Sequence, residues 1–168
     1  MELPKIDIRH ILFTTDFSEG AQNICAYAAA IAKQFSARLT LLHVVQEELL
    51  DLLVFDVGTE RAGGVKKRLS AAKGNFPQVK KKLLEKMKSE YCSGDIQEND
   101  ILVDKGNPAK LILRTAEERN CDLIVMGFKG RSALEDAMMG DTVRRVLYRS
   151  AAPVLVVKPP ERKKEQGE

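Results

Sequence analysis

The chain has few of the residues from which metal centres and disulfide frameworks are built. Its 168 residues include three cysteines and two histidines. Cys25, Cys92 and Cys121 form no C-x-x-C pair and no metal-ligating spacing. His10 and His43 lie on separate predicted strands and are interpreted as strand residues, so a histidine-rich metal site is not expected. The odd number of cysteines and the absence of a signal-peptide pattern predict a reducing, cytoplasmic setting.

Long apolar runs and an excess of one charge are also missing. No run approaches the roughly 18 apolar residues that a membrane-spanning helix needs, so no membrane insertion is expected. The 27 lysines and arginines nearly balance the 24 aspartates and glutamates, which leaves a net charge of +3. Nucleic-acid binders usually concentrate basic residues on one face, so no nucleic-acid partner is expected.

The motifs of common catalytic and phosphate-binding classes are absent as well. The sequence contains no G-x-x-x-x-G-K-[ST] loop, no G-x-G-x-x-G fingerprint, no G-x-S-x-G elbow and no H-E-x-x-H pair. No pattern pairs a nucleophile with a base. We therefore expect a protein that is not an enzyme, although slow ATP hydrolysis stays open.

Apolar strands alternate with amphipathic helices along the chain. Strands are predicted at residues 8–14, 38–45, 101–104, 122–126 and 153–157. Between the first two strands, apolar residues recur at steps of three and four, as one buried helix face requires: Ala21, Ile24, Cys25, Ala28, Ala32 and Phe35. This order predicts an α/β fold with three layers, in which helices cover both faces of a five-stranded parallel, Rossmann-like sheet.

The helices have recognisable beginnings. Asp16, with Glu19 three residues later, resembles a capping box before the first helix. Asn107 followed by Pro108 is a typical helix start. Helices are also predicted at residues 77–91 and 142–150. Their inward residues are Val79, Leu83, Met87 and Tyr91 in the former and Val143, Val146 and Leu147 in the latter. The lysines of 77–91 are interpreted as a solvated face.

The chain is most simply one domain, residues 1–158. Residues 46–75 have the least readable pattern and are interpreted as a variable insert, where contacts with protein partners are expected. Residues 159–168 form a charged tail that is predicted to be disordered.

The last third of the chain carries the most specific pattern. The predicted fourth strand leads into Gly127, Gly130 follows three residues later, and Gly140 immediately precedes the last helix. A strand, a glycine loop and a helix N-terminus together bring backbone N–H groups to a phosphate. In open parallel sheets, ligands bind beyond the carboxyl ends of the strands where the strand order reverses. We expect the segments that follow the first, second and fourth strands to meet there.

This G-x2-G-x9-G spacing resembles the nucleotide-binding loop of the universal stress protein family. The run from Thr15 to Glu19 is similar to a frequent opening of that family, and the similarity extends over about residues 8–157. The resemblance implies a stress-response regulatory or sensor protein that binds ATP or another adenine nucleotide, with or without Mg²⁺. The implied binding residues are Thr14, Asp16, Val44, Met126, Gly127, Lys129, Gly130, Gly140, Asp141 and Thr142.

Asp141 departs from the family pattern, because ATP-binding relatives usually carry a hydroxyl residue there. An ionised carboxylate only accepts hydrogen bonds and repels phosphate, while it suits a helix N-cap. Our hypothesis is that Asp141 partly occupies the anion site itself and that Thr142 supplies a replacement hydroxyl. The alternative is a nucleotide-free interaction scaffold. The resemblance also implies a homodimer that pairs through the last strand, Val154–Val157.

Overall fold

The computed structural model describes residues 5–18, 20–46, 76–91, 96, 98–128 and 139–158. Within these ranges, the strands are β1 (His10–Thr15), β2 (Arg38–Val45), β3 (Ile101–Lys105), β4 (Leu123–Gly127) and β5 (Val154–Val157). The helices are α1 (Ala21–Phe35), α2 (Phe76–Tyr91), α3 (Pro108–Glu118) and α4 (Asp141–Arg149), and a 3₁₀ turn (Glu98–Asp100) precedes β3. None of the helices in these ranges has the length and apolar character needed to cross a membrane.

The five strands form one parallel sheet in the order β3-β2-β1-β4-β5. β1 pairs with β2 on one side, where Thr15 lies opposite His43, and with β4 on the other side, where Phe13 lies opposite Val125. The chain builds β2 and β3 outward from β1, and then returns to the other side of β1 for β4 and β5. The prediction of a five-stranded parallel α/β sheet is therefore confirmed, and the strand order reverses between β1 and β4.

Helices pack on both faces of this sheet. α1 and α2 bury one set of side chains with Ile11 and Phe13, while α3 and α4 bury a second set with Leu12 and Ile124. Consecutive residues of β1 therefore point into two different cores, and Ile11, Leu12 and Phe13 are all fully buried. This explains the continuous apolar runs in the strands, because a strand that is covered on both faces has no solvent side.

A buried carboxylate ties the amino ends of the strands together. Asp100 accepts hydrogen bonds from Arg38, whose Nε lies 2.8 and 2.9 Å from its two carboxylate oxygens, and it also pairs with Arg119. The hydrogen bond and the charge of Asp100 raise the pKa of Arg38. His10 contacts the Arg119 carbonyl oxygen through Nδ1 and the Thr40 hydroxyl through Nε2. This polar network lies at the edge of the sheet opposite the predicted ligand site.

Three predictions about the helices are wrong. Asp16 does not cap α1, because the N-cap is Gly20, in the left-handed conformation (φ +86°) and without a side-chain cap. Phe35 is 43% exposed and Leu147 is 41% exposed, so neither side chain points inward. Phe35 is the last residue of α1, three residues before β2 begins at Arg38, and its side chain is partly exposed to solvent. Leu147 follows the fully buried Val146 and is rotated away from the sheet by one helical step.

The predicted cap of α3 and the predicted buried face of α2 are confirmed. Asn107 caps α3, and its Oδ1 accepts a hydrogen bond from the Lys110 N–H at 3.1 Å. Val79, Met87 and Tyr91 are buried in α2, and Leu83 packs against the same core. The predicted insert lies outside the described residues except for residue 46, and the predicted tail, 159–168, lies outside them entirely.

Candidate functional site

The carboxyl ends of β1, β2 and β4 lie side by side at one edge of the sheet. Thr14 lies opposite Leu42 in the register of β1 with β2. When the register of β1 with β4 is continued past Phe13 and Val125, Met126 comes beside Thr14. This edge is where the strand order reverses, which is the position at which open parallel sheets bind ligands.

Three of the predicted binding residues share one face of the sheet there. Val44 and Met126 pack into the core beneath α3 and α4. Thr14 follows Leu12 by two residues, so it lies on the same face as that core residue. Met126 is buried, whereas Thr14 and Val44 are half-buried. The edge thus offers an apolar floor with a hydroxyl group beside it.

Backbone hydrogen bonds close the loop between β4 and α4. The Phe128 N–H donates to the Val157 carbonyl oxygen at 2.9 Å, and the Gly140 N–H donates to the Phe128 carbonyl oxygen at 3.1 Å. Gly140 is the N-cap of α4 and has φ −58°, so its conformation does not require glycine. The loop therefore returns to the end of β4, adjacent to Gly127, and brings the N-terminus of α4 to the candidate site.

Asp141 is the first residue of α4, and not its cap as the sequence suggested, because Gly140 occupies the cap position. Its carboxylate pairs with two arginines of the same helix. Arg144 Nη2 lies 2.7 Å from Oδ1, and Arg145 Nε lies 2.7 Å from Oδ2. These arginines were not predicted as site residues, although the i,i+3 and i,i+4 spacing from Asp141 could have revealed them.

The next two residues of α4 have different surroundings. Thr142 is half-buried in the first turn, where a hydroxyl can serve a ligand. Val143 is 4% exposed and packs in the core with Val146. Val143 is therefore a packing residue. The predicted loop residues Lys129 and Gly130 lie outside the described residues.

Asp16 immediately follows β1 at the same edge. Its Oδ1 accepts a hydrogen bond from the Ser18 N–H at 2.9 Å, which forms an Asx turn. The turn explains why the sequence resembled a capping box, since the same residue types serve both motifs. Its role as a nucleoside contact stays a prediction.

Comparisons with known proteins agree with this architecture. The model of the universal stress protein family matches residues 7–158. The chain belongs to the universal stress protein family. The universal stress protein MJ0577 of Methanocaldococcus jannaschii is 30% identical over 156 residues, which cover 89% of this chain and 94% of that protein. The solved structure of MJ0577 has a TM-score of 0.71 at 25% identity and covers 93% of this chain and 99% of its own.

A second solved structure is a universal stress protein in complex with cAMP. It has a TM-score of 0.53 at 19% identity, and it covers 92% of this chain and 100% of its own. At 19% identity, this similarity shows that the two proteins share a fold. The glycine spacing indicated a member of the universal stress protein family, and this membership is confirmed.

This universal stress protein also has an aromatic cluster beside Asp16 that sequence reasoning missed. The Phe17 ring centroid lies 4.6 Å from that of His43 and 6.0 Å from that of Tyr91. The Tyr91 hydroxyl lies 3.0 Å from Thr15 Oγ1. Tyr91 belongs to α2, which is far from Thr15 in the sequence, so no local pattern indicates this contact.

Proposed function

We propose that this universal stress protein is a cytoplasmic stress-response regulator that binds an adenine nucleotide at the carboxyl edge of β1 and β4. The observation that carries this is the closed loop between β4 and α4, which brings the N-terminus of α4 to the strand-order reversal. Unpaired N–H groups at a helix N-terminus bind phosphate. The universal stress protein solved with cAMP supports a ligand of this class.

Each described residue has a role in this proposal. Val44 and Met126 supply apolar surface for the adenine base, as ligand sites commonly do. Asp16 accepts a hydrogen bond from a nucleoside hydroxyl or amine. Gly127 and Gly140 let the backbone approach the phosphate, and Thr142 donates its hydroxyl. The protein acts by binding and not by turnover, which is the interpretation that the missing catalytic motifs favour.

Binding is proposed to regulate by changing the contacts that the loop between β4 and α4 makes with partner proteins. We also propose a homodimer that pairs through Val154–Val157, because β5 is an outer strand of the described sheet. Such a dimer would carry two nucleotide sites whose loops adjoin the paired strands, since Phe128 is bonded to Val157.

A nucleotide-free dimeric scaffold of the same fold is the second candidate. The pairing of Asp141 with Arg144 and Arg145 favours it, because the carboxylate engages both guanidinium groups and offsets part of the positive charge that a phosphate would use. The phosphate must compete with a carboxylate held by two short ion pairs. The charge at Asp141 therefore separates the two candidate functions.

Titration calorimetry of the nucleotide-stripped protein tests the proposal, with ATP, ATP with Mg²⁺, and AMP as separate ligands. We expect binding in the micromolar range that Asp16→Asn weakens at least about tenfold, a loss of about 1.4 kcal/mol. Asp7→Asn is the matched control, because Asp7 precedes β1 at the opposite edge of the sheet and its exposed carboxylate pairs with Arg9. Absence of binding for all three ligands would move the assignment to the scaffold.

A further inference from the structure

Phe17 has a backbone conformation that bulky residues rarely adopt. Its φ is +58°, in the left-handed region. Non-glycine residues persist there only when their surroundings hold them, and they concentrate at functional sites. Phe17 lies directly between Asp16 and Ser18, the two residues joined by the Asx turn. The conformation of Phe17 therefore decides where the Asp16 carboxylate is presented.

Side chains from β2 and α2 hold the Phe17 ring. His43 packs at 4.6 Å between ring centroids, with the planes tilted by 53°, and Tyr91 packs at 6.0 Å. Lys86 Nζ lies 4.4 Å from the ring centroid, within the distance of a cation–π contact. Aromatic pairs at these separations are attractive beyond the area that they bury. These contacts offset the strain of the left-handed backbone.

Hydrogen bonds connect the same turn to α2. Thr15 Oγ1 accepts from the Phe17 N–H at 3.1 Å and lies 3.0 Å from the Tyr91 hydroxyl. His43 Nδ1 lies 2.7 Å from the Thr15 carbonyl oxygen and must donate to it, because a carbonyl only accepts. The Tyr91 hydroxyl is protonated at neutral pH, and burial raises its pKa further. Tyr91 thus contacts the Phe17 ring and the hydroxyl that bonds to the Phe17 backbone.

The remaining side of the turn faces a cleft. A space of about 320 Å³ lies between the start of α1 and the end of α2, and Phe17, Ser18, Asn23, Glu90 and Tyr91 are among the residues that line it. A ring that is closely packed on every side cannot change its orientation without displacing its neighbours. Phe17 lines this cleft, so neighbouring atoms do not enclose it on every side.

We propose that Phe17 is a positioning residue for the nucleotide site, and that Tyr91 links it to α2. Phe17 holds the Asp16 turn in the orientation that receives the nucleoside, without touching the ligand itself. Because Asp16 is taken as the nucleoside contact, this role rests on the function proposed above.

Two substitutions of Phe17 separate the ring from the backbone. Asn tolerates the left-handed conformation, so Phe17→Asn removes the ring and keeps the backbone preference. Phe17→Tyr keeps the ring. We expect Phe17→Asn to speed amide hydrogen exchange in residues 16–20 and to weaken AMP binding at least about tenfold, or about 1.4 kcal/mol, by calorimetry. Phe17→Tyr should restore affinity to within about twofold, or about 0.4 kcal/mol, of the wild type.

Tyr91→Phe tests the link to α2, because it removes only the hydroxyl. We expect faster exchange in residues 16–20 and about threefold weaker AMP binding, a loss typical of one neutral hydrogen bond. If Phe17→Asn does not fold, Tyr91→Phe carries the test alone. Phe35→Asn is the matched control, since Phe35 is an exposed phenylalanine at the far end of α1. It should change neither exchange in residues 16–20 nor affinity.

The two measurements distinguish failure of this role from failure of the nucleotide function. If the wild type binds neither AMP nor ATP, the nucleotide function fails, while hydrogen exchange still decides whether Phe17 and Tyr91 fix the turn. Unchanged exchange in both Phe17→Asn and Tyr91→Phe would overturn the positioning role. The positioning role would also be overturned if Phe17→Asn had faster exchange in the turn but bound AMP with wild-type affinity. The conformation of the turn would then have no effect on ligand binding.

Discussion

At the scale of single residues, Asp141 sets the charge at the N-terminus of α4. Its carboxylate draws Arg144 and Arg145 toward itself and away from an incoming phosphate. We expect Asp141→Ser to tighten ATP binding about tenfold or more, because the substitution removes a repulsive charge and frees two guanidinium groups. AMP affinity should change less, since AMP carries fewer phosphate charges. Calorimetry with ATP and with AMP gives the ratio of the two affinities for each variant.

Asp141→Asn is the control for this prediction, because it removes the charge and keeps the shape of the side chain. A gain in ATP affinity for both variants identifies charge as the cause. A gain in Asp141→Ser alone identifies the donated hydroxyl. Unchanged affinity in both variants would show that Asp141 does not occupy the anion site.

Because the thiol of Cys121 is buried, we expect the protein to lose stability in alkaline solution. This burial raises the pKa of the thiol to about 11. The folded protein therefore holds this proton more tightly than the unfolded chain does. The resulting contribution to the free energy of unfolding is fully present below the pKa of the unfolded chain, and it is lost as the pH rises through the pKa of the folded protein. We expect the free energy of unfolding to fall by on the order of 1–2 kcal/mol between pH about 9 and about 11.

Denaturant unfolding at a series of pH values measures this loss, and Cys121→Ala should make it smaller. Tyr91 contributes to the same decline, because its pKa is also raised by burial. The double variant with Tyr91→Phe should therefore have the flattest pH profile. If Cys121→Ala has the same slope as the wild type, the thiol does not titrate as proposed.

At the scale of elements, α1 and α3 begin in different ways. α3 has a side-chain cap at Asn107 and a proline at its first position, whereas α1 begins at Gly20 without a side-chain cap. We expect Asn107→Ala to lower the free energy of unfolding by about 1 kcal/mol, because the Lys110 N–H loses its acceptor. Chemical denaturation measures this loss. Asn107→Asp should be near neutral, and a neutral Asn107→Ala would contradict the role of the cap.

The elements themselves were largely readable from the sequence. β2 has the predicted bounds, since an apolar run between turn residues is a strong strand signal. The predicted caps were readable only in part. Asn107 caps its helix, but Asp16 forms an Asx turn and Asp141 forms ion pairs, because short acidic side chains satisfy several local motifs equally well. Which motif forms depends on where the helix begins, and tertiary packing decides that.

At the scale of the whole molecule, the alternation of strands and helices predicted a parallel sheet, but it does not determine the order of the strands in that sheet. That order places β1 beside β4 and so brings Thr14 next to Met126. The glycine spacing pointed to this edge only through family resemblance. The contact between Tyr91 and Thr15 lay beyond sequence reasoning, because it requires α2 to dock on one face of the finished sheet. Long-range packing therefore supplies what the local patterns omit.

The outer position of β5 predicts a homodimer. Pro153 and Val157 use their carbonyl oxygens to bond to β4, so Val156 turns its backbone groups toward the open edge, which can pair with a second copy. Val156→Pro removes that outward N–H, and we expect it to convert a dimer into a monomer in sedimentation experiments at micromolar concentration. Val156→Thr keeps the N–H and the branched shape, so it should remain dimeric. A monomeric wild type would exclude this dimer, and a dimeric Val156→Pro would place the interface elsewhere.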